Sequence, residues 1–485
     1  MTHDEHPIGV IDLGSNSLRL AIFASADRAM VPLYNEKEIC QIGRGLESSG
    51  NLYKPGTRLA LQTLERFKLL AESRGIKNIH ILATEAVRRA QDGRAFVEEI
   101  RLRTGLTPIF LTGEEEAKYA AAGLRFGIMD AQGAMGDLGG GSLELAQVGQ
   151  KEERLASLPL GPLRLSEASD GKMATAERLT NEALRSVDWT ASMHKKTFYA
   201  VGGAWRAVAR AYIRAQNHPL DVIHLYNVDA AHLGDYAARV AAMSPEAVGR
   251  LKGVSKKRRD HMAMASLVLE RVIAFGRPER VCFSATGLRE GYLFSQLPED
   301  QQRQDPLLHY TAKGVEAGKL PEALPDWVAK VMKEQPRLRT AACHMSNKEW
   351  GGHPEYRAKQ AYQHCLALPV GGIDHQDRCF MALALYVRHA GESHKSQNSE
   401  AIALLPPEQV EQAIALGCVL RLAYGLSGGM ASPLQGTSLK LEGGELVLTL
   451  NVKREGLLND TVERRLAAAA AALKATPRIV TAGRA

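Results

Sequence analysis

Two stretches carry the residue types best suited to binding and attacking a phosphoryl group. Asp137-Leu-Gly-Gly-Gly-Ser-Leu-Glu-Leu145 sets an acidic residue before a glycine run and a glutamate just after it. Asp12-Leu-Gly-Ser-Asn-Ser-Leu-Arg-Leu20 repeats the pattern upstream, matching at Asp, Leu, the first Gly, Ser, Leu and the final Leu. Glycine lets backbone N–H groups approach an anion closely, in φ/ψ that other residues resist. The pair reads as a duplicated unit with a phosphate site between two hairpins. Arg19 in one copy stands where Glu144 stands in the other, which makes that site asymmetric.

Two more stretches add chemistry. Ala83-Thr-Glu-Ala-Val-Arg88 places an arginine just after a strand, where a guanidinium can pair with phosphate oxygens bidentately. An ion pair on a helix surface is its other reading. Thr112-Gly-Glu-Glu-Glu-Ala117 puts three carboxylates at a helix start. The macrodipole favours acidic residues there, so capping accounts for them as well as a general base does.

These segments need elements to hold them. Ile8–Leu13 and Leu18–Ala24 read as strands joined by Gly-Ser-Asn-Ser, with a third strand expected around Glu38–Ile42. Pro55 opens a helical pattern that ends near Gly75, and Ile79–Ala83 and Pro108–Leu111 read as strands flanking a helix at Arg94–Arg103. A helix follows at Glu114–Phe126. The second half repeats the scheme with strands at Ala134–Leu138, Ser142–Val148, Arg154–Leu158 and Thr197–Val201, the last running into Gly202-Gly203. Arg258–Phe275 reads as one long helix, Arg280–Ser284 as a strand and Thr286–Phe294 as a helix. Alternating strands and helices predict an α/β fold.

Pro298–Pro306 has the composition of a linker, and the region beyond it has mainly helical spacing. Leu439–Leu441 and Leu446–Leu450, separated by Glu442-Gly-Gly-Glu445, predict a hairpin before a final helix. Four domains are expected: residues 1–126 and 127–300 as two lobes, 301–408 as a helical domain and 409–485 as a small α+β piece.

The 485 residues are 45% hydrophobic and 24% charged, ordinary for a water-soluble fold. Six scattered cysteines without a Cys-x-x-Cys argue against a disulfide framework or a zinc ribbon and for reduced thiols in a cytoplasm. The polar, acidic start lacks a signal-peptide pattern, and no segment reads as the ~18 apolar residues that span a bilayer. A net charge of +7 suits a polyanionic partner as well as an ordinary basic protein.

Taken in order, Asp-Leu-Gly-Ser-Asn-Ser, Ala-Thr-x-Ala-x-Arg, Gly-Glu-Glu-Glu-Ala, Asp-Leu-Gly-Gly-Gly-Ser-x-Glu-Leu, Gly202-Gly203 and Gly287-Leu-Arg-Glu-Gly291 resemble the exopolyphosphatase/guanosine pentaphosphate phosphatase family. The resemblance covers about Ile8 to Leu297. It implies two actin-like, ribonuclease H-like lobes around a phosphate cleft, then a mainly helical HD-like domain and a small α+β piece. It implies hydrolysis of the terminal phosphoryl group of inorganic polyphosphate, dependent on Mg²⁺ or another divalent cation. The alternatives are a guanosine pentaphosphate (pppGpp) 5′-phosphohydrolase, also touching ppGpp, and a non-catalytic nucleotide sensor on the same fold. A homodimer is expected and a nucleic-acid partner is not.

Carried onto this chain, the resemblance implies Glu116 as general base, with Glu144 and Arg88 as its catalytic companions. Asp12, Gly14, Ser15, Asn16, Ser17 and Arg19 correspond to the first phosphate loop. Gly139, Gly140, Gly141 and Ser142 correspond to the second, with Gly202 and Gly203 beyond it. Asp137, Glu144 and Asp12 are the expected metal ligands, since Mg²⁺ takes oxygen donors. The HD-like region departs from its pattern. Cys343-His344-Met345 stands where a His-Asp pair is expected, and Met does not ligate a hard cation. His353, His364, Asp374, His375, Asp377, His389 and His394 remain scattered candidates there. Lys195-Lys196, Lys256–Arg259, and Arg337 with Arg339 are candidates for a basic track along a long anion.

Overall fold

The computed structural model describes residues 6–150, 152–349, 351–391 and 399–482. Its chain divides into two compact units, residues 1–304 and 305–485.

In the first unit, β1 (Ile8–Leu13), β2 (Leu18–Phe23), β3 (Pro32–Glu38), β4 (Asn78–Ala83) and β5 (Ile109–Phe110) form one sheet in the order β3-β2-β1-β4-β5. The first three are antiparallel, while β4 and β5 add in parallel. Side chains alternate between faces with the strand period. Ile11, Leu13, Leu18, Leu20 and Ile22 pack with Leu61, Leu64 and Phe67 of the Lys54–Glu72 helix. Ile8, Val10, Ala21 and Phe23 pack on the other face with Ala122, Phe126 and Leu293. Burial on both faces is why β1 reads as a nearly continuous apolar run.

A second sheet repeats this plan. β6 (Gly133–Leu138), β7 (Leu143–Val148), β8 (Leu155–Leu158), β9 (Thr197–Val201), β10 (Tyr226–Asp229) and β11 (Arg280–Phe283) take the order β10-β11-β9-β6-β7-β8. The duplicated core, three antiparallel strands with a parallel strand beside the first, is that of two actin-like lobes. The helix Gly113–Gly127 serves both. Its Ala122 and Phe126 join the first sheet's core, and its Ala120, Ala121 and Leu124 join a core with Met135, Ala146 and Val148 of the second. It packs backbone to backbone on the helix Leu288–Phe294. A Cβ on Gly123 would lie 2.0 Å from the Gly287 carbonyl oxygen, and one on Gly291 would lie 1.8 Å from that of Tyr119.

The third strand lies earlier than its expected place at Glu38–Ile42. It is an edge strand whose residues are exposed or half-buried, so no apolar pattern marks it. The long helix expected from Arg258 is broken. A turn at Lys256–Arg259 precedes the helix Met262–Gly276, with His261 between them at φ −108. The expected linker contains a helical turn at Glu299–Gln302.

The second unit is mainly helical. Its helices Pro336–Met345, Pro354–Leu366, His375–Ala390, Pro407–Ser427 and Asp460–Ala472 accompany a sheet of β12 (Thr437–Glu442), β13 (Glu445–Asn451) and β14 (Thr476–Ala482). The hairpin is where its sequence places it. The strand β14, parallel to β13 after the final helix, is an addition to the expected elements. Pro407–Ser427 is long and apolar enough to cross a membrane by length and composition, and 67% of its apolar window is buried inside the protein.

Candidate functional site

Both glycine loops close by the same backbone bond. Gly14 N–H donates to the Ser17 carbonyl at 3.3 Å, and Gly139 N–H donates to the Ser142 carbonyl at 3.0 Å. Across the strands that flank each loop, Asp12 faces Arg19 and Asp137 faces Glu144. The parallel strand beside each hairpin delivers the next residues. β4 leads to Thr84, whose N–H donates to the Leu13 carbonyl at 3.3 Å, and to Glu85. β9 leads to Gly202 and Gly203. Gly202 has φ +96, and a Cβ there would lie 2.6 Å from Asp137 Oδ1 and 2.5 Å from the Leu138 carbonyl oxygen. Only glycine lets the chain cross the Asp137 carboxylate at that distance.

The two loops meet across a cavity of about 140 Å³. Ser15 Oγ donates to Glu85 Oε2 at 3.2 Å, and the Gly140 Cα faces Asn16 closely enough that a Cβ would lie 3.1 Å from the asparagine Cβ. Asp12, Gly14, Ser15, Asn16, Ser17, Arg19, Glu116, Asp137, Gly139, Gly140, Gly141, Ser142, Glu144, Gly202 and Gly203 all line this cleft. Arg88 does not. Its Nη1 donates to Glu116 Oε1 at 2.5 Å and to the Leu111 carbonyl. The arginine expected at phosphate is instead turned onto the expected base.

The three glutamates at the helix start divide their work. Thr112 and Glu115 form a reciprocal capping box, with Glu115 N–H on Thr112 Oγ1 at 3.2 Å and Thr112 N–H on Glu115 Oε2 at 2.7 Å. Glu114 is exposed, and Glu116 is 6% exposed with its carboxylate in the cleft. Burial pushes Glu116 up to about 7 against the pull of Arg88. Burial and the neighbouring Glu116 push Glu144 well above the usual carboxylate range, although Ser157 Oγ donates to it at 3.1 Å. Burial also raises Asp12, and raises Asp137 to about 6. Four carboxylates held above their ordinary values line the cleft, and their oxygens are the donor type Mg²⁺ takes, but among the described residues no three of them gather closely enough to form a metal site.

Cations crowd the same cleft. Arg19, Lys37, Arg206, Arg258 and Arg289 line it. Burial, then Arg19, Arg258 and Arg206, lowers Lys37 to about 7. Burial together with Arg19 and Arg289 lowers Arg206 to about 9, and Arg258 falls to about 10. Arg258 came from the basic run noted in the sequence. Lys37 and Arg206 carried no local signal, one on an edge strand and one on a helix face; Arg289 sits inside Gly287-Leu-Arg-Glu-Gly291, a motif the sequence showed without marking its arginine as a cleft residue.

The other basic candidates lie elsewhere. Lys195, Lys196 and Lys256 are exposed, and the Lys257 side chain lies outside the described residues. Arg337 pairs with Asp305, and Arg339 is buried and donates to the Met332 carbonyl. In the second unit Asp374 and Asp377 form a capping box for the helix His375–Ala390, and His344 Nδ1 lies 3.1 Å from Thr311 Oγ1. His394 lies outside the described residues. Among the described residues no three His, Cys, Asp or Glu side chains gather as a metal site, in that unit or in the cleft of the first.

Comparison with known proteins agrees with this architecture. Residues 21–300 match the Ppx/GppA phosphatase family, and residues 322–470 match the exopolyphosphatase C-terminal family. Exopolyphosphatase 1 of Mycobacterium tuberculosis is 31% identical over 163 residues, covering 33% of this chain and 47% of the relative. The chain thus spans about half the length of these curated relatives. Retrograde regulation protein 2 of Saccharomyces cerevisiae is 23% identical over 462 residues, covering 83% of this chain and 77% of the relative. An exopolyphosphatase crystal structure from Cytophaga hutchinsonii superposes with a TM-score of 0.55 at 20% identity, over 60% of this chain and 97% of that one. With more than half its length matched, the chain belongs to the Ppx/GppA phosphatase family.

Proposed function

We propose that this protein is an exopolyphosphatase, hydrolysing the terminal phosphoryl group of inorganic polyphosphate to orthophosphate. The observation that carries this reading is the cleft's lining: two glycine loops and five cationic side chains set among six carboxylates, with no Phe, Tyr or Trp among the described residues that line it. Such a surface offers guanidinium and backbone N–H groups to phosphate oxygens and no Phe, Tyr or Trp platform to a purine. Guanosine pentaphosphate is therefore the weaker substrate in this account.

Glu116 takes a proton from water as the water oxygen attacks the terminal phosphorus. The bridging P–O bond breaks, and the shortened chain leaves with the electron pair, its charge met by the cleft arginines. A carboxylate whose pKa lies near neutrality is well matched to this task. Backbone N–H groups of Gly140 and Gly141 and of the Ser15–Asn16 turn would stabilise the equatorial oxygens. Glu144, held by Ser157, orients the water. Asp12, Asp137 and Glu144 would hold Mg²⁺, which when bound shields the phosphate oxygens' charge from the attacking water.

The other reading, a non-catalytic nucleotide sensor on the same fold, would need no water-activating carboxylate, whereas Glu116 lines this cleft. Phosphate release from long-chain polyphosphate by the purified protein, with and without Mg²⁺, separates the two.

A further inference from the structure

Glu85, whose carboxylate takes no part in the proton transfer, joins the two phosphate loops to each other. It opens the short helix Glu85–Arg89 just after β4 and is 5% exposed. Its two oxygens divide. Oε2 accepts from Ser15 Oγ at 3.2 Å, and Oε1 accepts from Arg89 Nη1 at 2.7 Å and from Arg164 Nη1 at 3.2 Å. Ser15 belongs to the first loop, whereas Arg164 comes from the helix Pro162–Ala168 of the second lobe. Arg164 Nε also lies 2.7 Å from Glu47 Oε1, and Arg89 Nη1 donates to that same oxygen at 2.6 Å. Two carboxylates of the first lobe thus share the second lobe's Arg164.

Arg164 is in turn seated on the second loop through the backbone beside it. Leu163 N–H donates to the Gly140 carbonyl at 3.1 Å, and a Cβ on Gly161 would lie 2.4 Å from that oxygen. A second tie runs parallel to the first. Glu167, one helical turn beyond Arg164 and so on the same side of its helix, accepts from Gly45 N–H with Oε1 at 2.7 Å. Gly43, two residues earlier, donates its N–H to the Ser15 carbonyl at 2.9 Å. Ser15 is therefore held through its hydroxyl by Glu85 and Arg164, and through its carbonyl by a segment that Glu167 anchors. No side chain fits between the loops here, since a Cβ on Gly141 would lie 2.1 Å from Glu85 Oε2.

The loops arise from hairpins in two different sheets, so no strand ladder sets their separation. Donors on both loops can grip one phosphoryl group only if that separation is fixed to about 0.5 Å. An isolated surface ion pair holds little, but charge-assisted bonds that converge on a buried carboxylate define a geometry. We propose that Glu85 and Arg164 are positioning residues: together with Glu167 they form a clasp between the lobes that holds the two phosphate loops in register around the terminal phosphoryl group. The identity of what is gripped rests on the exopolyphosphatase reading; the clasp itself does not.

Two measurements on the full chain test it. Hydrogen–deuterium exchange without substrate compares wild type with Arg164→Gln. Peptides covering Gly14–Ser17 and Gly43–Leu46, all in the other lobe, should exchange about fivefold faster or more in the variant, while those from the helix Lys54–Glu72 stay within about twofold. Glu167→Ala should speed exchange at Gly43–Leu46 in the same way, and it keeps the test open if Arg164→Gln fails to fold. Steady-state kinetics with long-chain polyphosphate then reads the consequence. KM should rise about fivefold or more in Arg164→Gln and in Glu85→Gln, by more than kcat falls, and the double variant should be no more than about twofold worse than the worse single one, because the two residues act as one unit. Loop exchange unchanged in the folded variants, exchange that rises equally in the Lys54–Glu72 helix, or a lower kcat at an unmoved KM overturns the proposal. Absence of phosphate release by wild type overturns the exopolyphosphatase reading instead, and the exchange comparison alone then decides the clasp.

Discussion

Arg88 Nη1 lies 2.5 Å from Glu116 Oε1, so the cleft's buried carboxylate is held by a guanidinium that does not itself line the cleft. The arginine steadies the base and lowers its proton affinity, against a larger opposing effect of burial. Arg88 is a positioning residue in this account.

The pH profile of Arg88→Gln follows from that contact. The wild-type rate should fall as pH drops through about 7, where Glu116 gains its proton. Removing the cation raises that carboxyl further, so the acid limb of kcat/KM should move to higher pH. KM for polyphosphate should change less than threefold. A KM raised tenfold with an unmoved acid limb would place Arg88 on the substrate instead.

Stability should respond in the opposite sense to activity at Glu116. A carboxyl raised from 4.5 to about 7 by folding contributes stability that is full below 4.5 and lost as pH rises through about 7. Glu116→Gln removes this penalty. The variant should melt higher than wild type at pH 8 and nearly level with it at pH 5, which differential scanning calorimetry reads directly.

Arg258→Ala should weaken substrate retention without touching chemistry. Its guanidinium lies with that of Arg19 over Gly203, where a Cβ would meet both within 2.7 Å. KM for long-chain polyphosphate should rise about tenfold with kcat within threefold, and the salt dependence of KM should flatten. Steady-state kinetics at several salt concentrations checks it.

Gly202→Ala should be costly for a backbone reason. The residue sits at φ +96, and its new methyl group would press on Asp137 Oδ1 and the Leu138 carbonyl. Strain of this kind costs about 1–3 kcal/mol. A lower Tm together with a higher Mg²⁺ requirement is the expected outcome, since the displaced carboxylate is a proposed ligand.

What the sequence made legible follows from locality. Asp12–Arg19 and Asp137–Glu144 each lie within one hairpin, so glycine spacing alone placed their loops, and the repeat placed the two lobes. Of Glu114, Glu115 and Glu116, the sequence allowed either capping or catalysis. The fold assigns both, capping to Glu115 and the cleft to Glu116, because one helical step turns the side chain inward. Lys37 and Arg206 stayed hidden, and Arg289 showed only as part of its motif, because their meeting depends on chain segments far apart in sequence. The strand Thr476–Ala482 was equally silent, its residues exposed or half-buried on a sheet edge.

The most direct measurement compares wild type with Glu116→Gln, using purified full-length protein, long-chain polyphosphate and Mg²⁺. Orthophosphate release and polyphosphate binding are followed on the same samples. Wild type should release phosphate steadily; the variant should bind polyphosphate within threefold of wild type and turn it over at least a hundredfold more slowly. Undiminished turnover in Glu116→Gln, or no phosphate release by wild type, would contradict the account.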